Sequence, residues 1–172
     1  IWTGTDYLGE SGRWPSRGLY TGLLDFGSFP KPRGHFRASL WCENPVTYVG
    51  TYPVYVHPKH PEHVFLSLDA WDIWNYDEGQ NIRVVCYTNA PQARLLLNGR
   101  VVGEMKPYDE KTGIIYWDIP FRAGELRAEG CDKEGNALSS YSIRTSGRPY
   151  AIRATADRTI LSGDRATAVS YT

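Results

Sequence analysis

Apolar residues along this chain alternate with a period of two far more often than they recur with a helical period. "NIRVVCYTN" places Ile82, Val84 and Cys86 on one face, the pattern of a strand with one side buried. "QARLLLNGRVVGEM" is two apolar runs joined by Asn98-Gly99. Both positions of a two-residue hairpin turn need φ > 0, so this dipeptide is the strongest short hairpin signal. "GIIYWDIP", "GELRAEGCD" and "ALSSYSIRT" follow, set off by Gly113, Gly124 and a turn at residues 133–136. Short strands at roughly 8–12-residue spacing predict a mainly β chain built on an antiparallel sandwich of immunoglobulin type, with a barrel the alternative.

A single helix is expected at residues 33–42, where Phe36 and Leu40 sit four apart with Trp41 beside them. Pro30 and Pro32 fall before or at its first turn, where a missing N–H costs little. Gly34 weakens it by about 1 kcal/mol. Prolines at 45, 53, 58 and 61 remove ladder donors and mark residues 46–62 as a connector or edge segment. Four units result: an N-terminal piece over 1–45, a Pro-rich linker over 46–62, the sandwich over 63–147, and the start of a further β-domain over 148–172. "RATAVSYT" at the end of that last unit keeps a strand-like alternation.

The composition permits a packed core, with 41% hydrophobic and 22% charged residues over 172 positions. The formal net charge of +0 gives no long-range pull toward phosphate backbones or anionic lipid, so nucleic acid and membrane partners are not expected. The sole methionine is Met105. With both ends reading as interrupted strands, the chain is expected to be an excerpt from a longer polypeptide. Its low cysteine use fits cytoplasm, periplasm or a cell surface, and a bacterial periplasm or cell surface is slightly favoured.

Candidate chemistry is sparse. Asp6 and Glu10 could form the carboxylate pair that glycoside hydrolysis needs, or could be ordinary loop residues. His57, His60 and His63 in "HPKHPEH" suggest a metal. If the prolines hold that stretch in polyproline II, successive imidazoles lie about 9 Å apart, too far for one zinc ion. Surface histidines, no metal site and no cofactor are the expectation. Cys86 and Cys131 fall on the second and sixth expected strands, where immunoglobulin domains of antibody type carry a disulfide. Alternation turns Leu126, Ala128 and Gly130 inward and Cys131 outward unless a bulge intervenes. Trp117 reads as core, whereas Trp2, Tyr7 and Trp14 border a Gly-rich loop where packing explains them less well.

Two stretches carry a resemblance. "WTGTDYLGE" and "GLLDFGSFPK" resemble the end of the catalytic (β/α)8 barrel in glycoside hydrolase family 2, the β-galactosidase and β-glucuronidase family. The matching positions are Trp2, Gly4, Asp6, Tyr7, Gly9 and Glu10, then Gly22, Asp25, Gly27, Phe29, Pro30 and Lys31. "WNYDEGQNIRVVCYTNAPQARLLLNGRVVGE" resembles the immunoglobulin-like domain that follows the barrel in many bacterial members. The resemblance implies a short barrel remnant (last strand, loop and helix), then the sandwich, then the start of another β-domain. Trp2, Asp6 and Tyr7 would then be substrate-binding residues at the sugar pocket of the full-length enzyme. That enzyme would be a retaining β-glycosidase, with the rest of its own polypeptide as this chain's partner. Its two catalytic glutamates would lie upstream of Ile1, so no catalytic residue is expected here and the sandwich would brace the barrel. The alternative is a stand-alone carbohydrate-binding sandwich, with Tyr87 and Tyr116 as the exposed platform.

Overall fold

In the computed structural model, which describes residues 3–147 together with Ala151 and Arg153, the chain opens with a minimal antiparallel pair. Its strands are β1 (Tyr7–Leu8) and β2 (Gly18–Leu19). Helix α1 (Pro32–Trp41) follows, with Pro32 in the first turn as its fixed φ favours. The helix buries Pro32, Phe36 and Ser39, while Leu40 and Trp41 are exposed. The expected pairing of Phe36 with Leu40 on one buried face therefore does not occur. Gly34 is required by packing: a Cβ there would stand 2.6 Å from the Leu23 carbonyl oxygen.

The sandwich is built from seven strands: β3 (Thr47–Pro53), β4 (Asn81–Thr88), β5 (Gln92–Leu97), β6 (Arg100–Pro107), β7 (Ile115–Pro120), β8 (Glu125–Cys131) and β9 (Ala137–Arg144). One sheet has the order β3-β4-β7 and the other β6-β5-β8-β9. All their pairings are antiparallel. This is an open, immunoglobulin-like sandwich. The β5–β6 hairpin turns on Asn98 (φ 52°) and Gly99 (φ 76°), as the dipeptide predicts. The stretch expected as a connector or edge segment supplies the edge strand β3, which ends at Pro53, a position where proline costs no ladder bond.

Between the sheets lie Val49, Val84, Leu95, Trp117, Leu126 and Ala128. Trp74, which precedes β4, is buried among them and donates Nε1–H to the Arg122 carbonyl at 3.1 Å. Strand β4 is buried on both faces. Its outward side packs Val85 and Tyr87 with Phe36 of α1, Tyr48, Ala70 and Ile114. Arg83 on that side is 5% exposed. It forks onto Asp118, directly opposite on β7, at 2.7 and 2.6 Å, and donates to the Phe65 carbonyl at 2.9 Å.

Cys131 is buried, although it keeps the side of β8 that alternation gives it, opposite to Gly130, which faces Thr47 and Thr88 of the other sheet. The register of β8 against β9 shifts between Gly130 and Cys131 by one extra residue on β9, Leu138, while β8 pairs with β5 without a shift and keeps its own alternation. Cys86 and Cys131 are both free thiols, as is the exposed Cys42.

Candidate functional site

The N-terminal segment is held by one buried ion pair. Lys31 leads into α1, and Asp6 precedes β1. Lys31 Nζ donates to Asp6 Oδ1 at 2.8 Å, to Asp6 Oδ2 at 3.0 Å and to the Tyr20 carbonyl at 2.9 Å. All three ammonium protons are thereby used. Asp6 Oδ1 also accepts the Gly22 N–H at 2.8 Å. The side chains of Asp6 and Lys31 are 4% and 11% exposed. Backbone bonds from Asp6 N to Leu24 O and from Leu23 and Leu24 N to Gly4 O complete the knot.

The Asp6 carboxylate thus faces into the protein, where it ties residues 20–24 and the start of α1 to the first segment. Its geometry is that of a group that positions a loop. Tyr7 is half-buried and donates its hydroxyl to Glu10 Oε2, across a turn in which Gly9 and Glu10 take φ of 101° and 44°. Trp2 lies outside the described residues. Asp25 fixes the next loop by accepting the N–H groups of Gly27 and Phe29 at 2.8 and 2.9 Å. Sequence reasoning assigned no role to Trp14, Tyr20, Phe26 and Phe29 as a group, yet all four are exposed along this segment. Arg17 stacks on Trp14 at 4.7 Å, and Tyr20 meets Phe26 edge-on at 5.6 Å.

The sandwich offers no aromatic platform at the positions suggested for one. Tyr87 is fully buried, with its hydroxyl donating to the Ser67 carbonyl at 2.7 Å. Burial pushes that phenol well above its ordinary range. The sheet face expected to meet solvent is covered by α1 and by residues 66–70, which strand alternation alone does not reveal. Tyr116 is half-buried, with Arg83 and Lys106 on its ring at 5.0 and 4.9 Å. Those two cations occupy the ring surface that a sugar would need.

The histidine segment also departs from expectation. It is not polyproline II but two consecutive β-turns that share His60. His60 N–H donates to the His57 carbonyl at 3.2 Å, and His63 N–H to the His60 carbonyl at 3.1 Å. Pro58 and Pro61 occupy the second position of each turn, where proline is favoured because its φ is already set. The ring centroids of His57 and His60 are 5.3 Å apart, and those of His60 and His63 are 5.0 Å apart.

The family described as a domain of unknown function, DUF4982, matches residues 79–139, from the turn before β4 into β9. A β-galactosidase of Bacteroides ovatus, BoGH2A, is 30% identical over 167 residues, which is 95% of this chain and 17% of that protein. Among solved structures, a glycosyl hydrolase family 2 member from Bacteroides cellulosilyticus aligns at TM-score 0.70 and 29% identity. It covers 92% of this chain and 23% of its own. A β-glycosidase from Bacteroides vulgatus aligns at TM-score 0.66 and 27% identity, covering 91% of this chain and 17% of its own. The chain spans less than a quarter of the length of each of these relatives. In sequence and fold the chain is similar to one part of these glycoside hydrolase family 2 enzymes.

Proposed function

We propose that the chain is a non-catalytic portion of a retaining, β-galactosidase-like β-glycosidase, in which the sandwich braces the edge of a (β/α)8 catalytic barrel. In this reading residues 1–45 close that barrel. Trp2 and Tyr7 border its sugar pocket, and Asp6 holds their loop in place through Lys31. The further unit at 148–172 begins the next β-domain. The partners are then a carbohydrate substrate and the remainder of the same polypeptide.

The observation that carries the bracing role is the seam between α1 and the sheet β3-β4-β7. Phe36 is 7% exposed and meets Tyr87 edge-on at 5.4 Å, while Tyr48 stacks on Tyr87 at 5.5 Å. Burying a side chain of that size stabilises the contact by about 1.5–3 kcal/mol. Arg33 of α1 forks onto Asp69, and Asn89 donates to the carbonyls of Cys42 and Asn44 at 3.0 and 2.9 Å. Both ends of the helix are therefore fastened to the sandwich. A rigid seam of this kind transmits the sandwich's stability to whatever packs on the opposite side of α1. That side is an apolar groove of Leu23, Leu24, Pro30, Ala38 and Trp41.

The test compares the isolated chain with the complete parent enzyme on an aryl β-galactoside. The chain alone is expected to show no turnover, and the parent to hydrolyse with retention of configuration. In the parent, Phe36→Ala lowers the thermal midpoint of the barrel. Turnover by the purified chain, or a parent whose barrel melts unchanged with Phe36→Ala, would overturn the reading.

A further inference from the structure

We propose that His60, Glu62 and His63 form a binding site for one divalent transition-metal ion of the zinc, copper and nickel class. The site stands apart from the barrel edge and does not rest on the glycosidase reading. One nitrogen of each of the two histidines and a carboxylate oxygen of Glu62 all lie within 4.8 Å of one another. Glu62 Oε1 sits between the rings, 3.3 Å from His60 Nδ1 and 3.6 Å from His63 Nε2. A tetrahedral ion bonding nitrogen and oxygen at about 2.0–2.2 Å needs its donors roughly 3.3–3.6 Å apart. Two of the three donor separations therefore have the required span already. The third closes by rotation of side chains that are more than half exposed, so no core contact is disturbed.

The backbone supplies the order that an exposed cluster usually lacks. Each turn has proline at its second position, so the three histidines are presented at a fixed interval with little freedom left to lose on binding. His57 has a different task. Its Nδ1 accepts the N–H groups of Lys59 and His60 at 3.2 and 3.1 Å, which leaves the proton of the neutral ring on Nε2. It is a positioning residue that holds the first turn, with its ring against His60. The ion would take two imidazoles, one carboxylate and water. Imidazole donors suit zinc, copper and nickel, whereas calcium and magnesium favour all-oxygen sites.

The experiment is isothermal titration of the tag-free chain with zinc chloride, in a Cys42→Ser background that removes the exposed thiol. Copper EPR on the same protein counts the coordinating nitrogens. One ion per chain is expected, with hyperfine lines from two imidazoles. His60→Ala/His63→Ala weakens binding by tenfold or more, as even loss of a group behind a ligand costs about 10–100-fold. The urea midpoint of that variant stays unchanged, which excludes misfolding as the cause. Glu62→Gln weakens binding as well. His57→Ala also weakens it, whereas His57→Asn restores it, because asparagine can accept the same backbone N–H. Absence of saturable zinc binding would overturn the proposal. Equal affinity in the double variant, or calcium binding as tight as zinc, would do the same. Each of those results would leave Glu62 as an ordinary partner of two surface histidines.

Discussion

Removing the Lys31 ammonium tests whether the Asp6 knot holds the N-terminal segment to the rest of the chain. Lys31→Met keeps most of the stem volume and deletes three donations, of 2.8 and 3.0 Å to Asp6 and 2.9 Å to Tyr20. Asp6 is then left as a carboxylate, 4% exposed, with the Gly22 N–H as its remaining donor among those described. Breaking one side of a buried pair costs about 3–5 kcal/mol. With a urea dependence of about 2 kcal/mol per molar, the midpoint drops by roughly 1.5–2.5 M. Asp6→Asn costs less, because Lys31 is nearer solvent at 11% exposure and its head can find water. The double variant should recover much of the loss, to about 1–2 kcal/mol, since an amide still accepts from Gly22 and no charge is stranded. The assay is urea unfolding followed by tryptophan fluorescence, with Trp14 and Trp41 reporting on this segment. A Lys31→Met midpoint within about 0.3 M of the original, or a double variant no better than Lys31→Met, would refute the reasoning.

Burial of His35, stacked on Tyr48 at 4.2 Å, lowers its pKa below the ordinary 6.5, with Asp72 partly opposing. The folded state thus binds this proton less readily than the unfolded one, so stability is full above pH 6.5 and is lost as pH falls below it. His35→Gln should flatten that slope in urea midpoints measured from pH 7.5 to about 5.5. Burial pushes the Cys86 thiol up to about 12, so a thiolate reagent should label Cys42 fast in the native chain and reach Cys86 and Cys131 after unfolding. Counting labelled sites by mass spectrometry checks it. Tyr87→Ala empties a fully buried site and should cost about 3–5 kcal/mol, read as a thermal midpoint shift, whereas a surface platform residue would cost almost nothing.

What the sequence conveyed depended on how local each feature was. The Asn98-Gly99 turn and the alternation of β4 through β9 rest on neighbouring residues, so they were legible directly. Helix α1 was found although Leu40 faces outward, because the proline start and Phe36 were enough to mark it. Tyr87 misled because covering a sheet face needs a helix some fifty residues earlier in the chain, as α1 at Pro32–Trp41 supplies. Alternation describes a strand and is silent about what lies on top of it. Cys131 lies on the side of β8 that alternation gives it, opposite to Gly130, yet is buried, since alternation fixes facing and not cover. The histidines misled because X-Pro favours both extended chain and the second position of a turn, and the choice is made by hydrogen bonds that close three residues later. Of the positions assigned by resemblance, Asp6 proved to be bound to Lys31. Both residues stood in the quoted motifs, but their pairing spans 25 residues and has no local signature.

The fork between Arg83 and Asp118 has a consequence for how the sheet assembles. Strand β4 must find β7 after the β5–β6 hairpin has been inserted between them, and both partners offer alternating apolar faces that tolerate neighbouring alignments. Sliding β4 by one residue would turn the guanidinium toward Trp117 and Leu95, into a space with no carboxylate. Sliding it by two would separate the fork from Asp118 and strand both charges. The pair therefore acts as a gauge for alignment, penalising wrong pairings more than it rewards the right one. Replacing it with two well-fitted apolar residues could leave the finished sandwich as stable while making it slower to find, with slipped sheets accumulating on refolding.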